Sequence, residues 1–206
     1  MRLEPFTLTG SHVRLEPLSP RHAPQLADAA TDRSSYGFTW VPEGTTGMER
    51  YIEGLLADAG RDAAVPFAQV RVADDRAVGC TRFMNVMWWS SRTTPAEVEV
   101  GGTWLSADAQ RTPINTEAKL LLLSHAFEEW GVFRVAICTD ALNERSRAAI
   151  ERLGATFEGV LRQHRASMGH EGSPGMPRDT AAYSIIADEW PAIRERLQSR
   201  LERTDG

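Results

Sequence analysis

The chain has 206 residues, of which 42% are hydrophobic and 25% are charged, and its formal net charge is −5. This composition is typical of a globular protein and excludes a largely disordered chain. The length suits a single domain, which we expect to span residues 1–206. The negative charge argues against a nucleic-acid surface and is compatible with a cationic or amine-bearing substrate.

The sequence carries no signal for export, membrane insertion or metal binding. Residues 1–6 lack the apolar core of a signal peptide, and no apolar run approaches the ~20 residues that span a bilayer. Cys80 and Cys138 lie in apolar, strand-like runs without metal or redox spacing, and the histidines show no ligand spacing. We therefore predict a cytoplasmic protein with reduced thiols, no metal and no membrane partner.

The N-terminal half of the chain combines strand and helix signals. Alternating apolar residues predict the first strand, and Ser19 followed by Pro20 is typical of a helix start. A short polar turn at 73–76 predicts a hairpin between the next two strands. The predicted strands lie at 12–18, 65–72 and 77–86. The predicted helices lie at 19–30 and 46–60.

The C-terminal half alternates strand and helix and closes with a hairpin. Strand, helix and short buried strand follow one another, which predicts a parallel crossover within a mixed sheet. Gly154 takes the place of the left-handed residue that often ends a helix. The predicted strands lie at 96–105, 133–139, 157–167 and 179–186. The predicted helices lie at 115–130, 140–153 and 188–203.

The strand that carries Glu97 and Glu99 runs towards the apolar helix at 115–130, and this stretch is the most informative in the chain. A helix N-terminus offers unpaired N–H groups and the positive end of the helix dipole, so it suits a phosphate or pyrophosphate. A carboxylate upstream of it is suited to take a proton from a nucleophile. The stretch therefore predicts an anion site and a base on one continuous element.

Strand alternation predicts which side chains share a face of this strand. One face is expected to carry Glu97, Glu99, Gly101, Thr103 and Leu105. The opposite face is expected to carry Val98, Val100, Gly102 and Trp104. Adjacent glycines within a strand indicate a bulge or a close approach by a ligand or another backbone.

Five segments, taken in order and spacing, resemble one enzyme family. They are residues 101–105, 115–122, 139–155, 157–162 and 178–185. Together they resemble the GCN5-related N-acetyltransferase (GNAT) superfamily, and within it the ribosomal-protein N-acetyltransferases of the RimJ/RimL type. The resemblance implies an α/β (α+β) fold with helices flanking one mixed, largely antiparallel sheet of six to seven strands. Its central parallel pair would be splayed to bind acyl-CoA.

The resemblance also implies an N-acetyltransferase with acetyl-CoA as cosubstrate. The acceptor would be a primary amine, either a protein N-terminal α-amine or a small molecule, which attacks directly in a ternary complex. Two alternatives stay open. One is a non-catalytic, acyl-CoA-binding regulatory protein, and the other is an acyltransferase that uses succinyl-CoA or another donor.

The loop that holds pyrophosphate in the family follows the pattern Gln/Arg-x-x-Gly-x-Gly/Ala, which falls here on residues 110–115. Both glycine positions differ, because they are occupied by Pro113 and Asn115. The phosphate cradle would then use the charge of Arg111 and the N–H groups of Thr112, Ile114, Asn115 and Thr116. Pro113 either weakens this cradle, since it has no N–H, or occupies a first-turn position where no helical bond is lost.

The resemblance assigns further roles around the cleft. Glu99 is the expected base, directly or through water, with Glu97 as the second candidate. The alternative for both is a solvent-facing or ion-paired strand residue. Ser146 is the expected proton donor to the CoA thiolate and Asn143 a pantetheine or water contact, unless the pair merely caps a helix. The main chain expected to bind the pantetheine arm is Trp104, Leu105 and Ser106.

Two expectations concern partners. Trp40, in an aromatic-rich loop, is the candidate for acceptor binding. The C-terminal helix carries an apolar stripe formed by Trp190, Ile193 and Leu197. This stripe predicts either a homodimer contact or packing on the chain's own sheet.

Overall fold

The computed structural model describes residues 3–34, 36–168 and 175–203. Eight strands form one sheet in the order β1-β2-β3-β4-β5-β6-β8-β7. The strands are β1 Leu8–Thr9, β2 Val13–Pro17, β3 Ala64–Arg71, β4 Arg76–Met87, β5 Glu97–Leu105, β6 Arg134–Asp140, β7 Thr156–Ala166 and β8 Pro177–Ile186. Only β5 and β6 pair in parallel, so the predicted mixed sheet is confirmed. It has eight strands rather than six to seven, because the two-residue β1 also pairs with β2.

Within the described ranges, five α-helices follow the predicted order. They are α1 Ala23–Ala29, α2 Gly44–Ala59, α3 Pro113–Ser124, α4 Glu144–Leu153 and α5 Trp190–Glu202. The predicted helix at 115–130 changes hydrogen-bonding pattern halfway, since a π-helical turn at His125–Glu129 continues α3. Gly154 adopts φ 97° and ends α4, as its position predicted. None of the helices in the described ranges is both long and apolar enough to cross a membrane.

Two hydrophobic clusters hold these helices against the sheet. The larger one packs α3, α4 and α5, represented by Leu122, Ile150 and Leu197, against one face, which we call the α3 face. The smaller one packs α1 and α2, represented by Leu26 and Ile52, against the other, which we call the α1–α2 face.

The apolar stripe of α5 lies inside the larger cluster. Trp190, Ile193 and Leu197 are all buried there. Of the two alternatives for this stripe, the structure therefore shows packing on the chain's own core. The stripe leaves no exposed surface for a dimer contact.

The parallel pair separates soon after it forms. β5 and β6 are in register only from Glu97 to Glu99, opposite Arg134 to Ala136. Beyond that point β5 pairs only with β4, and β6 pairs only with β8. The predicted splay is confirmed, and it leaves main-chain groups of both strands facing a gap.

A bulge in β5 changes which side chains share a face. Trp104 lies opposite Cys80 and Gly101 lies opposite Arg82, so β5 contains one extra residue, and Gly102 adopts φ 57°. The predicted bulge is confirmed, but the predicted faces beyond it are wrong. Thr103 and Leu105 lie on the α3 face, and Trp104 packs with α1 and α2.

Candidate active site

The gap between β5 and β6 lies beside two helix N-termini. α3 begins at Pro113, shortly after β5 ends, and α4 begins at Glu144, shortly after β6 ends. In sheets with parallel strands, ligands bind outside the carboxyl ends of those strands, where helix N-termini also lie. The fold therefore brings the predicted anion site and the splayed strands together.

Thr112 caps the N-terminus of α3. Its hydroxyl accepts a hydrogen bond of 3.4 Å from the amide of Ile114, and Pro113 is the first helical residue. A proline at this position removes an N–H that would have no partner within the helix. The structure thus places Pro113 at the first-turn position that the sequence allowed. Arg111, two residues before Pro113, is exposed and adopts φ 61°.

The end of β5 is fixed by polar contacts with neighbouring elements. The carbonyl of Leu105 accepts from the Tyr36 hydroxyl at 3.1 Å and from the Gln110 amide at 2.9 Å. The Ser106 hydroxyl donates to Asp108 at 2.6 Å, and Arg145 of α4 donates to Gln110. These contacts hold the loop between β5 and α3 against the start of α4, so Arg145 lies beside the phosphate loop.

Glu99 is 5% exposed and lies where β5 begins to leave β6. Arg165 of β7 donates to both of its carboxylate oxygens at 2.8 and 2.6 Å, and Asn85 donates at 2.7 Å. Burial, the largest single influence, raises the pKa of Glu99, but the hydrogen bonds and charge of Arg165, with Asn85, outweigh it and leave the pKa below its usual value. Glu99 is therefore a buried, ionised carboxylate held across the sheet.

Glu97 lies in the paired part of β5, away from the gap. It is half-buried and forms an ion pair of 3.2 Å with Arg134, which also pairs with Glu158 at 2.5 Å. The two carboxylates thus share a face, as alternation predicted, but only Glu99 is beside the splay. Glu97 is therefore an ion-paired strand residue, which is the alternative that the sequence allowed.

Asn143 and Ser146 meet at the start of α4. The side-chain oxygen of Asn143 accepts from the Ser146 amide at 3.0 Å, so Asn143 is the N-cap. Ser146 is half-buried in the first turn. The capping contact accounts for the Asn143 oxygen, and it leaves the Ser146 hydroxyl in the turn nearest the gap.

Both thiols are poor nucleophiles in this structure. Cys80 is buried, and desolvation raises the pKa of its thiol far above the ordinary value. Burial, followed by the nearby Glu99 carboxylate, raises the pKa of Cys138 to about 11. Both therefore remain protonated at neutral pH, and a thiol reacts mainly as the thiolate.

A cleft of about 1110 Å³ opens on the α1–α2 face. Trp40 lines it and is 49% exposed, with its ring 5.7 Å from that of Tyr51. Other lining residues are Tyr36, Arg50 and Met168, which connect the cleft to the end of β5 and to the β7–β8 hairpin. Residues 169–174 of that hairpin's loop lie outside the described part of the chain. Trp40 thus lies where an acceptor could enter.

Gly101 and Gly102 make room for different neighbours. A Cβ on Gly102 would lie 2.6 Å from the guanidinium carbon of Arg82, so this side chain occupies the space that the missing Cβ leaves. A Cβ on Gly101 would lie 3.1 Å from the Met84 sulfur and 3.3 Å from a Glu99 oxygen. The glycine pair therefore shapes the α1–α2 face around Glu99 as well as the gap itself.

Several polar residues around the site are not evident from the sequence. Arg165 lies on β7, and its partner Glu99 is 66 positions away in the chain, so no local pattern predicts their contact. Lys119 lies in no motif of the sequence, yet it is buried below the bulge, with its amine 2.7 Å from the Thr103 hydroxyl. A signal is present, since Lys119 is the only lysine in the chain. In the described ranges no group of three or more acidic, histidine or cysteine side chains is placed to hold a metal.

Comparison with known proteins agrees with this geometry. A family model described as an acetyltransferase (GNAT) domain matches residues 12–156, which is more than half of the chain. YdaF of Bacillus subtilis (strain 168), provisionally named a ribosomal N-acetyltransferase, is 28% identical over 183 residues, covering 87% of this chain and 93% of YdaF.

Solved structures show the same fold. A GCN5-related N-acetyltransferase from Brucella melitensis superposes with a TM-score of 0.84 and 28% identity, covering 98% of this chain and 87% of that one. Mycobacterium smegmatis RimJ, solved in complex with CoA-disulfide, superposes with a TM-score of 0.77 and 22% identity, covering 95% of each chain, and at this identity supports the fold alone. The name of YdaF agrees with the predicted RimJ/RimL-type branch. The chain therefore belongs to the GNAT acetyltransferase family, and it is an N-acetyltransferase.

Proposed function

We propose that this protein transfers the acetyl group of acetyl-CoA to a primary amine by direct attack in a ternary complex. The observation that carries the proposal is the splay of β5 and β6 between two helix N-termini, with the ionised Glu99 at its origin. Acetyl-CoA would supply an activated acyl group on a thiol leaving group. The side chains described above would bind, orient and exchange protons.

The residues around the gap fit the donor. The amides of Ile114 and Asn115 lie in the first turn of α3 and are suited to phosphate oxygens. Arg111 would add positive charge. The Thr116 amide stands four residues after the cap, where the first intrahelical bond forms, so we assign its hydroxyl rather than its amide to the donor. The Thr112 amide completes this set.

The free edge of β5 fits the pantetheine arm. Trp104, Leu105 and Ser106 form the last part of the strand, where no partner strand covers the side towards β6. The arm carries amides, which can hydrogen-bond main-chain groups as a neighbouring strand would. Asn143 caps α4, which begins shortly after β6, and its side-chain oxygen accepts from the Ser146 amide, so we assign its side-chain nitrogen a contact with the arm or an ordered water.

Glu99 would take the proton from the attacking amine. Its pKa is lowered by Arg165, so it is ionised at neutral pH and attracts a protonated amine, but it is a weak base. Because Arg165 and Asn85 already donate to both oxygens, proton removal through a water molecule suits the geometry better than direct contact. Glu97, ion-paired to Arg134 away from the gap, is the weaker candidate for this role.

Ser146 would return a proton to the departing thiolate. Its amide is fixed by the Asn143 cap, which sets the position of the hydroxyl in the first turn of α4. A covalent acyl-enzyme would require a thiolate or a similarly activated nucleophile, and Cys80 and Cys138 both remain protonated. This chemistry favours one-step transfer from donor to acceptor.

The acceptor we favour is the N-terminal α-amine of a protein. The support comes from the name of YdaF, which refers to ribosomal acetylation, and from the open cleft on the α1–α2 face. Such a cleft admits a chain end, with Trp40 as a flat apolar contact. A small-molecule amine is the alternative acceptor.

The alternative of a non-catalytic acyl-CoA-binding protein is set aside, because the chain matches the acetyltransferase (GNAT) family over more than half of its length. The candidates that remain differ in the acceptor and in the acyl donor. Calorimetric titration with acetyl-CoA, succinyl-CoA and free CoA, followed by a thiol-release assay with amino-terminal peptides, separates the candidates. Binding with peptide-dependent CoA release supports the transferase. Binding without release supports a small-molecule acceptor, tighter succinyl-CoA binding would change the donor, and absence of any binding would refute the proposal.

A further inference from the structure

Lys119 stands out first by its residue type. Lysine and arginine together number 23, and Lys119 is the only lysine among them. Its side chain is also buried, with 6% of the residue exposed, and α3 directs it towards the sheet. Arginine cannot lose its proton in proteins, whereas a buried lysine can. The one basic side chain of this kind is therefore inside the protein and beside the splay.

The surroundings of Lys119 are polar but carry no opposite charge. Its amine donates to the Thr103 hydroxyl at 2.7 Å and lies 3.5 Å from the Thr81 hydroxyl, and these hydroxyls are 2.9 Å apart. Among the residues that the structure describes, no carboxylate pairs with it. Burial lowers its pKa to about 7. Such a group destabilises the fold relative to an apolar side chain of similar size.

The triad of Lys119, Thr81 and Thr103 joins three elements at the bulge. Thr103 directly follows Gly101 and Gly102, Thr81 lies on the neighbouring β4, and Lys119 lies in the second turn of α3. It thus ties the part of β5 that has left β6 to the helix whose N-terminus faces the phosphate loop. Because this polar contact lowers the stability of the fold, it serves a purpose other than stability.

The number of hydrogens in the triad shows which of its hydroxyls can donate to a ligand. When the amine donates to both threonines and one threonine donates to the other, one hydroxyl proton is left to donate elsewhere. Thr81 is buried, whereas Thr103 is half-exposed, so Thr103 is the member that can present this proton to a ligand. A hydroxyl donor beside a free strand edge matches a neutral acceptor such as an amide carbonyl.

We propose that Lys119 is a positioning residue that fixes the Thr103 hydroxyl and the bulged end of β5 for the amide-containing arm of acyl-CoA. This inference rests on the proposed function, because it needs acyl-CoA in the gap. Lys119 therefore affects binding of the arm of acyl-CoA and not binding of its phosphates. Stability is given up for this geometry.

The test compares ligands with and without the arm. Calorimetry measures the Kd of CoA and of adenosine 3′,5′-bisphosphate for the wild type, Lys119→Met and Thr103→Val. We expect about a tenfold weaker Kd for CoA in both variants, the loss of one oriented hydrogen bond, and an unchanged Kd for the bisphosphate. Lys119→Met should also melt at a higher temperature than the wild type at pH 6. Leu121→Met, on the same helix and half-buried, is the matched control and should change neither Kd.

The outcomes are distinct. Equal weakening for both ligands would mean that Lys119 only supports α3, and unchanged CoA binding would mean that the triad has no role towards the arm; either result overturns the inference. Thr103→Val keeps the test decisive if Lys119→Met does not fold. If the wild type itself binds no CoA, the proposed function fails, whereas wild-type binding with equal binding by both variants refutes only this inference.

Discussion

Glu99 and Lys119 are both buried ionisable side chains beside the splay, but they lie on opposite faces of the sheet and in different company. Glu99, on the α1–α2 face, is held by Arg165 through two hydrogen bonds and by Asn85 through a third. Lys119, on the α3 face, has two threonine hydroxyls within reach and no carboxylate among the described residues. One charge is compensated and the other is not.

The difference divides the tasks at the splay. A compensated carboxylate stays ionised at neutral pH, so it can attract an amine whenever the acceptor arrives. An uncompensated ammonium is costly, and its protonation depends on pH. The α1–α2 face therefore carries the chemistry expected of an acceptor site, whereas the α3 face carries a contact that trades stability for geometry.

Among single changes on the α1–α2 face, Glu99→Gln should have the largest effect on acetylation. The variant keeps the shape of the side chain but cannot accept a proton, and its NH2 group replaces one oxygen that accepts from Arg165 or Asn85. Acetylation of peptide amines should therefore fall by about a hundredfold or more, while the Kd for CoA stays within about twofold. Steady-state kinetics and calorimetry measure the two quantities. Glu97→Gln, two residues away on the same face, is the control and should lose little. Undiminished activity in Glu99→Gln would remove Glu99 from the mechanism.

The sequence predicts more of the fold than of the site. Ser19 caps a short 3₁₀ helix, Pro20–His22, which leads into α1, and Gly154 ends α4. These helix ends could be predicted because caps depend on neighbours within a turn, whereas the 3₁₀ form of the first turn could not. The parallel pair follows from the order of strand, helix and strand in the sequence, and the splay follows from the family resemblance. The order of strands and helices can therefore be predicted from the sequence alone.

The site partners are not accessible in the same way. Arg165 reaches Glu99 from 66 residues away, and no local pattern encodes a pairing at that distance. The adjacent glycines predict the bulge at Gly102 but not its effect on alternation, so simple alternation places Thr103 and Trp104 on the wrong faces. That error also conceals Lys119, because its partner Thr103 is then expected on the opposite side of the sheet.

Gly102→Ala should disturb both faces together. Its φ of 57° is unfavourable for alanine, and a Cβ would lie 2.6 Å from the Arg82 guanidinium carbon. We expect a loss of about 1–3 kcal/mol in the free energy of unfolding, together with roughly tenfold weaker CoA binding, since the bulge sets the free edge of β5. Chemical denaturation and calorimetry measure these effects. Wild-type CoA affinity in a destabilised variant would show that the bulge is not needed for the donor.

Lys119 should make stability depend on pH in the alkaline range. Its pKa is about 7 when folded and rises to the ordinary 10.5 when unfolded, so between these values the unfolded chain binds more protons. Stability therefore increases as pH rises from about 7 to about 10. Glu99 acts at the other end of the scale: its folded pKa is lowered, so its contribution is lost as pH falls through that value.

Lys119→Met separates the two contributions. The variant should be more stable than the wild type by about 1–4 kcal/mol at pH 6, and this difference should shrink towards pH 10. Denaturation of both proteins across this range measures it, and the acid limb that includes Glu99 should be unchanged. A constant difference between wild type and variant at every pH would mean that the pKa of Lys119 is the same in the folded and the unfolded protein.

Pro113→Ala should have the smallest effect, and it decides between the two interpretations of the altered phosphate loop. At the first helical position, alanine restores one N–H without breaking a helical bond. If Pro113 merely occupies this position, the Kd for CoA should change by no more than about twofold, and stability should fall by about 0.4–1 kcal/mol because the unfolded chain gains freedom. A tenfold gain in CoA affinity would instead show that the missing N–H weakens the cradle. Thr112 caps the helix in the wild type and in Pro113→Ala alike, so such a gain would come from the ligand contact and not from the helix.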